Sequence, residues 1–242
     1  VNIVAITTVK NEADILPKTI SHLQGEGITS FVISVDRTST DSTWDYLLTA
    51  VSPVLRSEIP FHQADEMTRL AHIAYHLGAD WVLPFDADEF WVGTDGQTIH
   101  NIIEALPPEI STIYAAMYQH VTFEERHPNQ KPMGKVMFRP NPNMLIEWGN
   151  HNVANIPGED IHGIIQIREL QYQSKPHFFA KVEKARELFA SWDVPRAFGH
   201  HMRRLADMDD VALDQEWDKM LTVETIVDPI PYKGDKDREG LW

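Results

Sequence analysis

Asp86 and Asp88, one residue apart, stand with Glu89 directly after the apolar run Trp81-Val82-Leu83-Pro84-Phe85 and before the aromatic pair Phe90-Trp91. Carboxylates at alternate positions leaving a strand can converge on one hard cation. Mg²⁺ or Mn²⁺ takes oxygen ligands and needs only one or two protein carboxylates, with phosphate oxygens and water completing the octahedron. An ion of this kind on a diphosphate neutralises a leaving group and acts as a Lewis acid. The triplet suits a divalent cation (Mn²⁺ or Mg²⁺) and transfer from a nucleoside diphosphate donor. The competing reading is an ordinary solvated acidic loop. Apolar residues on both flanks weigh against it, because unpaired carboxylates beside a core are costly.

The elements that must carry these residues alternate. Asn2 to Thr8 reads as a strand, and Asn11 as the N-cap of a helix with Glu12 and Asp14 in its first turn, closing at Gly25 and Gly27. A second strand, Ser30 to Val35, ends at Asp36, and the polar turn Thr38 to Thr43 leads into a helix through Leu48. Pro53 to Ile59 is a third strand candidate. Met67, Leu70, Ala71, Ala74 and Leu77 then share one helix face ahead of Gly78. Trp81 to Phe85 has no alternation, as expected of a strand covered on both faces. A β-α-β-α-β-α-β order implies a mostly parallel sheet with right-handed crossovers. Ligands of such sheets sit beyond the C-terminal strand ends, where Asp36, Asp86, Asp88 and Glu89 lie.

Beyond Phe90 the pattern is looser. A short helix (Ile99 to Leu106), strands at Thr112 to Met117, Lys135 to Arg139 and Ile164 to Arg168, and a Pro- and Asn-rich loop (His127 to Pro132) are expected. Phe178, Val182, Ala185, Phe189 and Trp192 make a helical stripe behind Pro176. Two polar helices follow, from Pro195 to Leu205 and from Val211 to Val223, before an irregular tail from Asp228. No linker divides the chain, so one domain over residues 1–242 is expected, with residues 1–92 binding the nucleotide and residues 93–242 the acceptor.

The balance of 21 Lys plus Arg against 36 Asp plus Glu, a formal charge of −15, opposes nucleic acid and anionic membrane surfaces. A phosphorylated small molecule is still compatible, because a bound cation and local basic residues can reverse the sign inside a pocket. There is no cysteine, which removes disulfide frameworks and thiolate metal sites. No apolar run is long enough for a membrane span. With no signal-type stretch ahead of Val1, a soluble, cytoplasmic protein is the expectation.

Three ordered motifs resemble glycosyltransferase family 2. They are Val9-Lys10-Asn11-Glu12-Ala13-Asp14, Ser39-Thr40-Asp41-Ser42-Thr43 and Ala79 to Phe90 with its Asp-Ala-Asp-Glu-Phe centre. The likeness is to the bacterial branch with a Lys-Asn-Glu start. Lys135 to Pro140, Gly149 to Val153 and Ile167 to Ser174 resemble that branch more loosely. The resemblance implies an α/β fold of GT-A type, with a mostly parallel central sheet flanked by helices, a mixed acceptor part and C-terminal helices. It further implies a nucleoside-diphosphate sugar donor, an acceptor hydroxyl (on a glycan, lipid or small molecule), a divalent metal and inversion at the anomeric carbon. By motif, Thr7, Thr8 and Glu12 line the nucleotide pocket and Asp36 sits by the base or ribose. Asp86 lies near the donor ribose or sugar, Asp88 is the main metal contact, Glu89 contacts it or braces the loop, and Arg69 approaches the donor or forms a surface ion pair. The chain departs from the branch at Arg37-Thr38, and at Glu169 and Gln173 where His and Arg are common.

Inverting transfer needs a carboxylate to accept the acceptor hydroxyl's proton. Asp160, in Gly158-Glu159-Asp160-Ile161-His162-Gly163, is the first candidate, with Glu159 or Glu147 as replacements; an exposed turn is the competing reading. His151, in a Gly-Asn-His-Asn setting, is read as a metal or acceptor contact, or as a histidine bonded inside a turn. His200, His201, Arg203 and Arg204 suit a diphosphate or a solvated helix face. Two other enzyme classes fit less well. A phosphohydrolase of the haloacid dehalogenase type wants its Asp pair early in the chain, with Thr or Val where Phe90 stands. A nucleotidyltransferase wants a Gly-rich loop that Thr7 to Glu12 lack. A non-catalytic nucleotide-sugar-binding module would tolerate loss of Asp86 or Asp88, and both are present.

Overall fold

A computed structural model describes residues 1–57, 63–191 and 200–235. In chain order the elements are β1 (Ile3–Val9), α1 (Leu16–Gly25), β2 (Ser30–Asp36), α2 (Thr43–Ala50), β3 (Val54–Ser57), α3 (Gln63–His76), β4 (Trp81–Pro84), β5 (Glu89–Gly93), α4 (Ile99–Glu104) and β6 (Ile110–His120). They continue with β7 (Glu125–Gln130), β8 (Lys135–Phe138), β9 (Leu145–Glu147), β10 (Asn152–Ala154), β11 (Glu159–Glu169), α5 (Lys175–Ser191), α6 (His200–Ala206), α7 (Asp210–Leu221) and β12 (Ile226–Val227). The chain forms two compact units. The first comprises Val1–Tyr118, Asn129–Glu169 and the C-terminal segment from Ile230; the second comprises Gln119–Pro128 and Leu170–Pro229.

The first unit holds the sheet order β3-β2-β1-β4-β8-β6, with β11 beside β6 and β5 on β11. β1 pairs in parallel with β2 and with β4, and β2 with β3. β8 runs antiparallel between β4 and β6, and β11 runs antiparallel to β5. This is the α/β fold expected from the sequence, parallel on the side of the first four strands and mixed beyond. The apolar strands bury both faces. Val4, Ile6, Val32 and Val82 pack with Met67, Leu70, Ala71 and Ala74 of α3, and with Met144, Ile146 and Val153 around the β9–β10 hairpin. A two-residue overhang at the end of α3 ends that stripe. Ala79 N–H returns to the Ala74 carbonyl and Gly78 N–H to that of Tyr75 over a left-handed Gly78, so Leu77 is turned out, 55% exposed.

The first helix starts later than the sequence implies. Asn11 is no N-cap: it has φ +53°, and its side-chain carbonyl accepts from the N–H groups of Thr40 (2.7 Å) and Asp41 (3.3 Å). Helix α1 begins at Leu16 with Pro17 in its first turn, where a fixed φ and a missing N–H cost nothing. The His127 to Pro132 stretch, expected as a loop, is mostly strand, as β7.

In the second unit, Tyr172, Phe178 and Val182 pack with Leu205 and Leu213, and Trp217 and Met202 lie against them. β7 and β12 pair there through Arg126 and Ile226 and through Glu125 and Val227, with Arg126 bonded to Asp228. Trp192 and Pro195 to Gly199 fall outside the described residues, as do the side chains of His200 and His201. Among the described residues no helix is long and apolar enough to cross a membrane.

Candidate functional site

The acidic cluster is a tight turn between β4 and β5. Glu89 N–H donates to the Asp86 carbonyl (3.1 Å), and Asp86 N–H donates to the Glu89 carboxylate (2.9 Å), so Glu89 closes the turn on itself. Thr19 of α1 donates its hydroxyl to the Ala87 carbonyl, which ties the turn to the helix behind it. Asp88 and Glu89 are buried, Glu89 almost completely.

Lys135, the first residue of β8 and 1% exposed, places its ammonium between Asp86 and Glu89, 2.9 Å from the latter. The other Asp86 oxygen accepts from Asn150 (2.9 Å) and from Gln63 (3.4 Å). Burial alone would raise the Asp86 pKa, but the Lys135 charge and the bonds from Lys135 and Asn150 overcome it and hold Asp86 below the usual carboxylate range. Glu89 goes the other way. Its complete burial, reinforced by the charges of Asp86 and Asp88, outweighs Lys135 and pushes it up to about 8. Burial draws Lys135 toward neutrality, yet the two carboxylates more than offset this and keep it charged. Lys135 thus serves two carboxylates whose pKa values are driven apart, Asp86 downward and Glu89 upward.

Glu169 ends β11 directly opposite Glu89 in the β5 ladder. Its carboxylate bonds Lys131 at 2.6 Å. Burial raises its pKa, and the charge of neighbouring Asp88 raises it further against the pull of Lys131. The position where a histidine was expected therefore carries a second carboxylate beside Asp88. Four carboxylates face two ammonium groups here, and hard oxygen ligands of that surplus fit a divalent ion. Asp86 and Glu169 each already carry an ammonium group, and Asp88 is the carboxylate whose charge reaches both Glu89 and Glu169.

His151 donates from Nδ1 to the Gly134 carbonyl at 2.8 Å, since a carbonyl can only accept; the neutral ring then keeps its lone pair on Nε2. Burial, and then the Lys135 charge, lower its pKa, while Asp86 is near enough to oppose them. Asp36 ends β2, two strands from β4 and so roughly 10 Å across the sheet. One of its oxygens takes both the N–H (2.7 Å) and the hydroxyl (2.6 Å) of Thr38. Thr7 is buried within β1 and Thr8 lies toward its end; Glu12 N–H donates to Thr43 (2.9 Å) in the loop that Asn11 staples to the β2–α2 turn. Arg69 is bonded to Glu66 at 2.6 and 2.9 Å on α3, the ion-pair alternative of the two expectations for it.

The structure does not bring Asp160 and Glu159 to Glu169. All three belong to one strand, β11, but Asp160 precedes Glu169 by nine residues, roughly 30 Å of strand at about 3.3 Å per residue. Asp160 instead acts on Tyr114, whose ring stacks on His162 at 4.9 Å. Glu147 is nearer the acidic turn in the chain. It closes the β9–β10 hairpin opposite Asn152, which donates to it at 2.9 Å, three residues before the Asn150 that reaches Asp86. Sequence reasoning gave Lys135, Lys131, Asn150 and Gln63 no role. Only Lys135 left a sign, as a lysine heading an otherwise apolar strand.

No protein-family model matches the chain, and no curated protein matches it. Among solved structures it is similar to the crystal structure of S. aureus TarS, at 12% identity over 91% of this chain and 43% of that one, with a TM-score of 0.44. The chain thus spans less than half the length of that protein. It is also similar to S. aureus TarS 1–349 (13% identity, 91% and 71% covered, TM-score 0.45). A third likeness is to 4-diphosphocytidyl-2C-methyl-D-erythritol synthase from Anaerococcus prevotii (14% identity, 90% and 84% covered, TM-score 0.33).

Proposed function

We propose that the chain is a metal-dependent, inverting glycosyltransferase resembling family 2, moving a sugar from a nucleoside-diphosphate sugar to an acceptor hydroxyl. The observation that carries this reading is the cluster of carboxylates at the β4–β5 turn, with Asp88 and Glu89 buried, at the C-terminal end of the parallel strand β4, where sheets of this kind bind ligands. Asp88 would be the main protein ligand of the Mn²⁺ or Mg²⁺, with Asp86 and His151 as further candidates and phosphate oxygens and water completing the shell. The bound ion supplies charge neutralisation to the departing diphosphate. Asp86, fixed on both oxygens by Lys135 and Asn150, orients the donor sugar or ribose. Asp36, with Thr7, Thr8 and Glu12, serves the nucleotide. Glu147, held by Asn152, replaces Asp160 and Glu159 as the carboxylate that takes the acceptor proton. The whole chain acts as one transferase domain.

The test is a thermal-shift panel of UDP-, GDP-, dTDP- and CDP-sugars with and without Mn²⁺, run on the wild type and on Asp88→Ala. A ligand that binds only the folded state raises its stability. One donor class should stabilise the wild type in a metal-dependent way, and Asp88→Ala should lose both that response and turnover while staying folded. Undiminished metal-dependent transfer by Asp88→Ala would overturn the metal assignment. No response to any donor, with phosphate released from a generic phosphomonoester, would favour the hydrolase.

A further inference from the structure

The β9–β10 hairpin turns through Trp148, Gly149, Asn150 and His151. Trp148 has φ +52° and Gly149 φ +79°. A positive φ suits glycine, but for a large side chain it is an outlier that the surroundings must enforce. They do so here. A Cβ on Gly149 would lie 2.9 Å from the Gln63 side-chain oxygen, and Gln63 and Asn150 both donate to Asp86. The hairpin is tied to α3 by Ile146 N–H, which donates to the Thr68 hydroxyl at 2.9 Å, and to the acidic turn by Asn150. Trp148 points the other way, since it is 67% exposed, more than any other tryptophan among the described residues. A strained backbone that holds an indole in solvent, two residues from a buried contact of Asp86, serves no packing purpose.

We infer that Trp148 is a stacking platform for a sugar ring of the acceptor. An indole face is broad, rigid and apolar, and matches the C–H face of a pyranose while the ring's hydroxyls stay free for polar neighbours. Glu147, held by Asn152, directly precedes it, so a proton acceptor stands next to the indole in the chain. The strand order separates this platform from the base and ribose side. Strand β10 of the hairpin packs on β8, on one side of β4, whereas Asp36 lies beyond β1 on the other. A nucleobase at Asp36 and a ring on Trp148 would flank the Asp86 turn. The inference rests on the transferase reading for the word acceptor, but not for the platform itself.

The test uses the full chain labelled with 5-fluorotryptophan, the Trp148 ¹⁹F resonance being identified by its loss in Trp148→Phe. The methyl glycosides of glucose, galactose, mannose and N-acetylglucosamine are titrated in turn, with and without UDP or GDP and Mn²⁺. At least one glycoside should shift the Trp148 resonance saturably, and nucleotide alone should leave it in place. Trp148→Ala should keep the wild-type circular dichroism spectrum and lose the binding of that glycoside. A resonance unmoved by every glycoside under both conditions overturns the platform. So does one that moves with nucleotide alone, or with protein dilution, which would mark a base site or a contact between copies. If glycosides move Trp148 while no nucleotide perturbs any resonance, the platform stands and the transferase reading fails; the reverse pattern separates them the other way.

Discussion

The first unit buries two polar networks, built on opposite plans. Each ring nitrogen of His22 has a partner. Its Nε2–H donates to the Trp91 carbonyl at 2.8 Å, its Nδ1 accepts from Lys233 N–H at 3.1 Å, and its ring stacks on Tyr232. Beside it one ammonium meets one carboxylate, Lys233 and Glu26, 2.9 Å apart. Around the β4–β5 turn the count is uneven: Asp86, Asp88, Glu89 and Glu169 share Lys135 and Lys131. A closed neutral network is what holds a chain segment down, here the C-terminal stretch after Ile230. A buried surplus of one sign is costly and persists only where a proton or a ligand completes it. The first is architecture; the second gathers carboxylates at the C-terminal edge of the parallel strands.

The largest effect should come from removing the shared cation. Lys135→Met leaves Asp86 and Glu89 facing each other across a buried gap, and should cost about 3–5 kcal/mol at neutral pH by urea denaturation. The loss should shrink on acidification, as the orphaned Asp86 carboxylate takes up a proton. A Lys135→Met protein with the wild-type denaturation midpoint would mean that the turn does not depend on charge balance.

His22 provides the counterpart. Burial first, and the Lys233 charge as well, depress its pKa from 6.5 to about 4, against the weaker pull of its bond to Trp91. A histidine depressed in the folded state protonates first in the unfolded one. Its contribution is complete above pH 6.5, is lost as pH falls from there toward 4, and changes no further below. Linkage puts the total at roughly 3 kcal/mol. Glu89, with a raised pKa, contributes in the opposite sense, being lost as pH rises from its ordinary value toward 8. The clean measurement is therefore the difference in unfolding free energy between wild type and His22→Phe across this range. A difference that stays flat would show that the imidazole is not held neutral.

The same contrast explains what was legible in the sequence. β1, β2 and β4 are covered on both faces and write themselves as apolar runs, so the parallel half and the position of the acidic turn follow directly. What balances that turn is non-local. Lys135 is 49 residues and Asn150 64 residues from Asp86, and the pairing is set by where β8 and the hairpin dock rather than by any local spacing. For Asp160 the competing reading is an exposed turn, as Gly158 and Gly163 suggest. Both do adopt positive φ, yet β11 runs on through Gly163 and carries Asp160 to the strand's far end from Glu169. His22 left no signal at all. On an amphipathic helix a histidine reads as surface, and only the return of the chain at Tyr232 and Lys233 buries it.

The smallest effect tests whether the C-terminal stretch is held at one point or along its length. Asp235 N–H donates to the Ser21 hydroxyl at 2.9 Å, one residue from His22 and in an exposed position. Losing one such bond costs about 1 kcal/mol or less, because water replaces the partner. Ser21→Ala should therefore leave the denaturation midpoint nearly unchanged and speed hydrogen exchange of the Asp235 amide alone. The Lys233 amide is shielded by its bond to the buried imidazole, in a place where Gly25 has no Cβ to push the Lys233 carbonyl away. Its exchange should keep the wild-type rate. If both amides accelerate together, the stretch opens as one piece and His22 is a passenger in it; if only Asp235 does, the imidazole is the anchor, and the matched network holds its segment at a single buried atom.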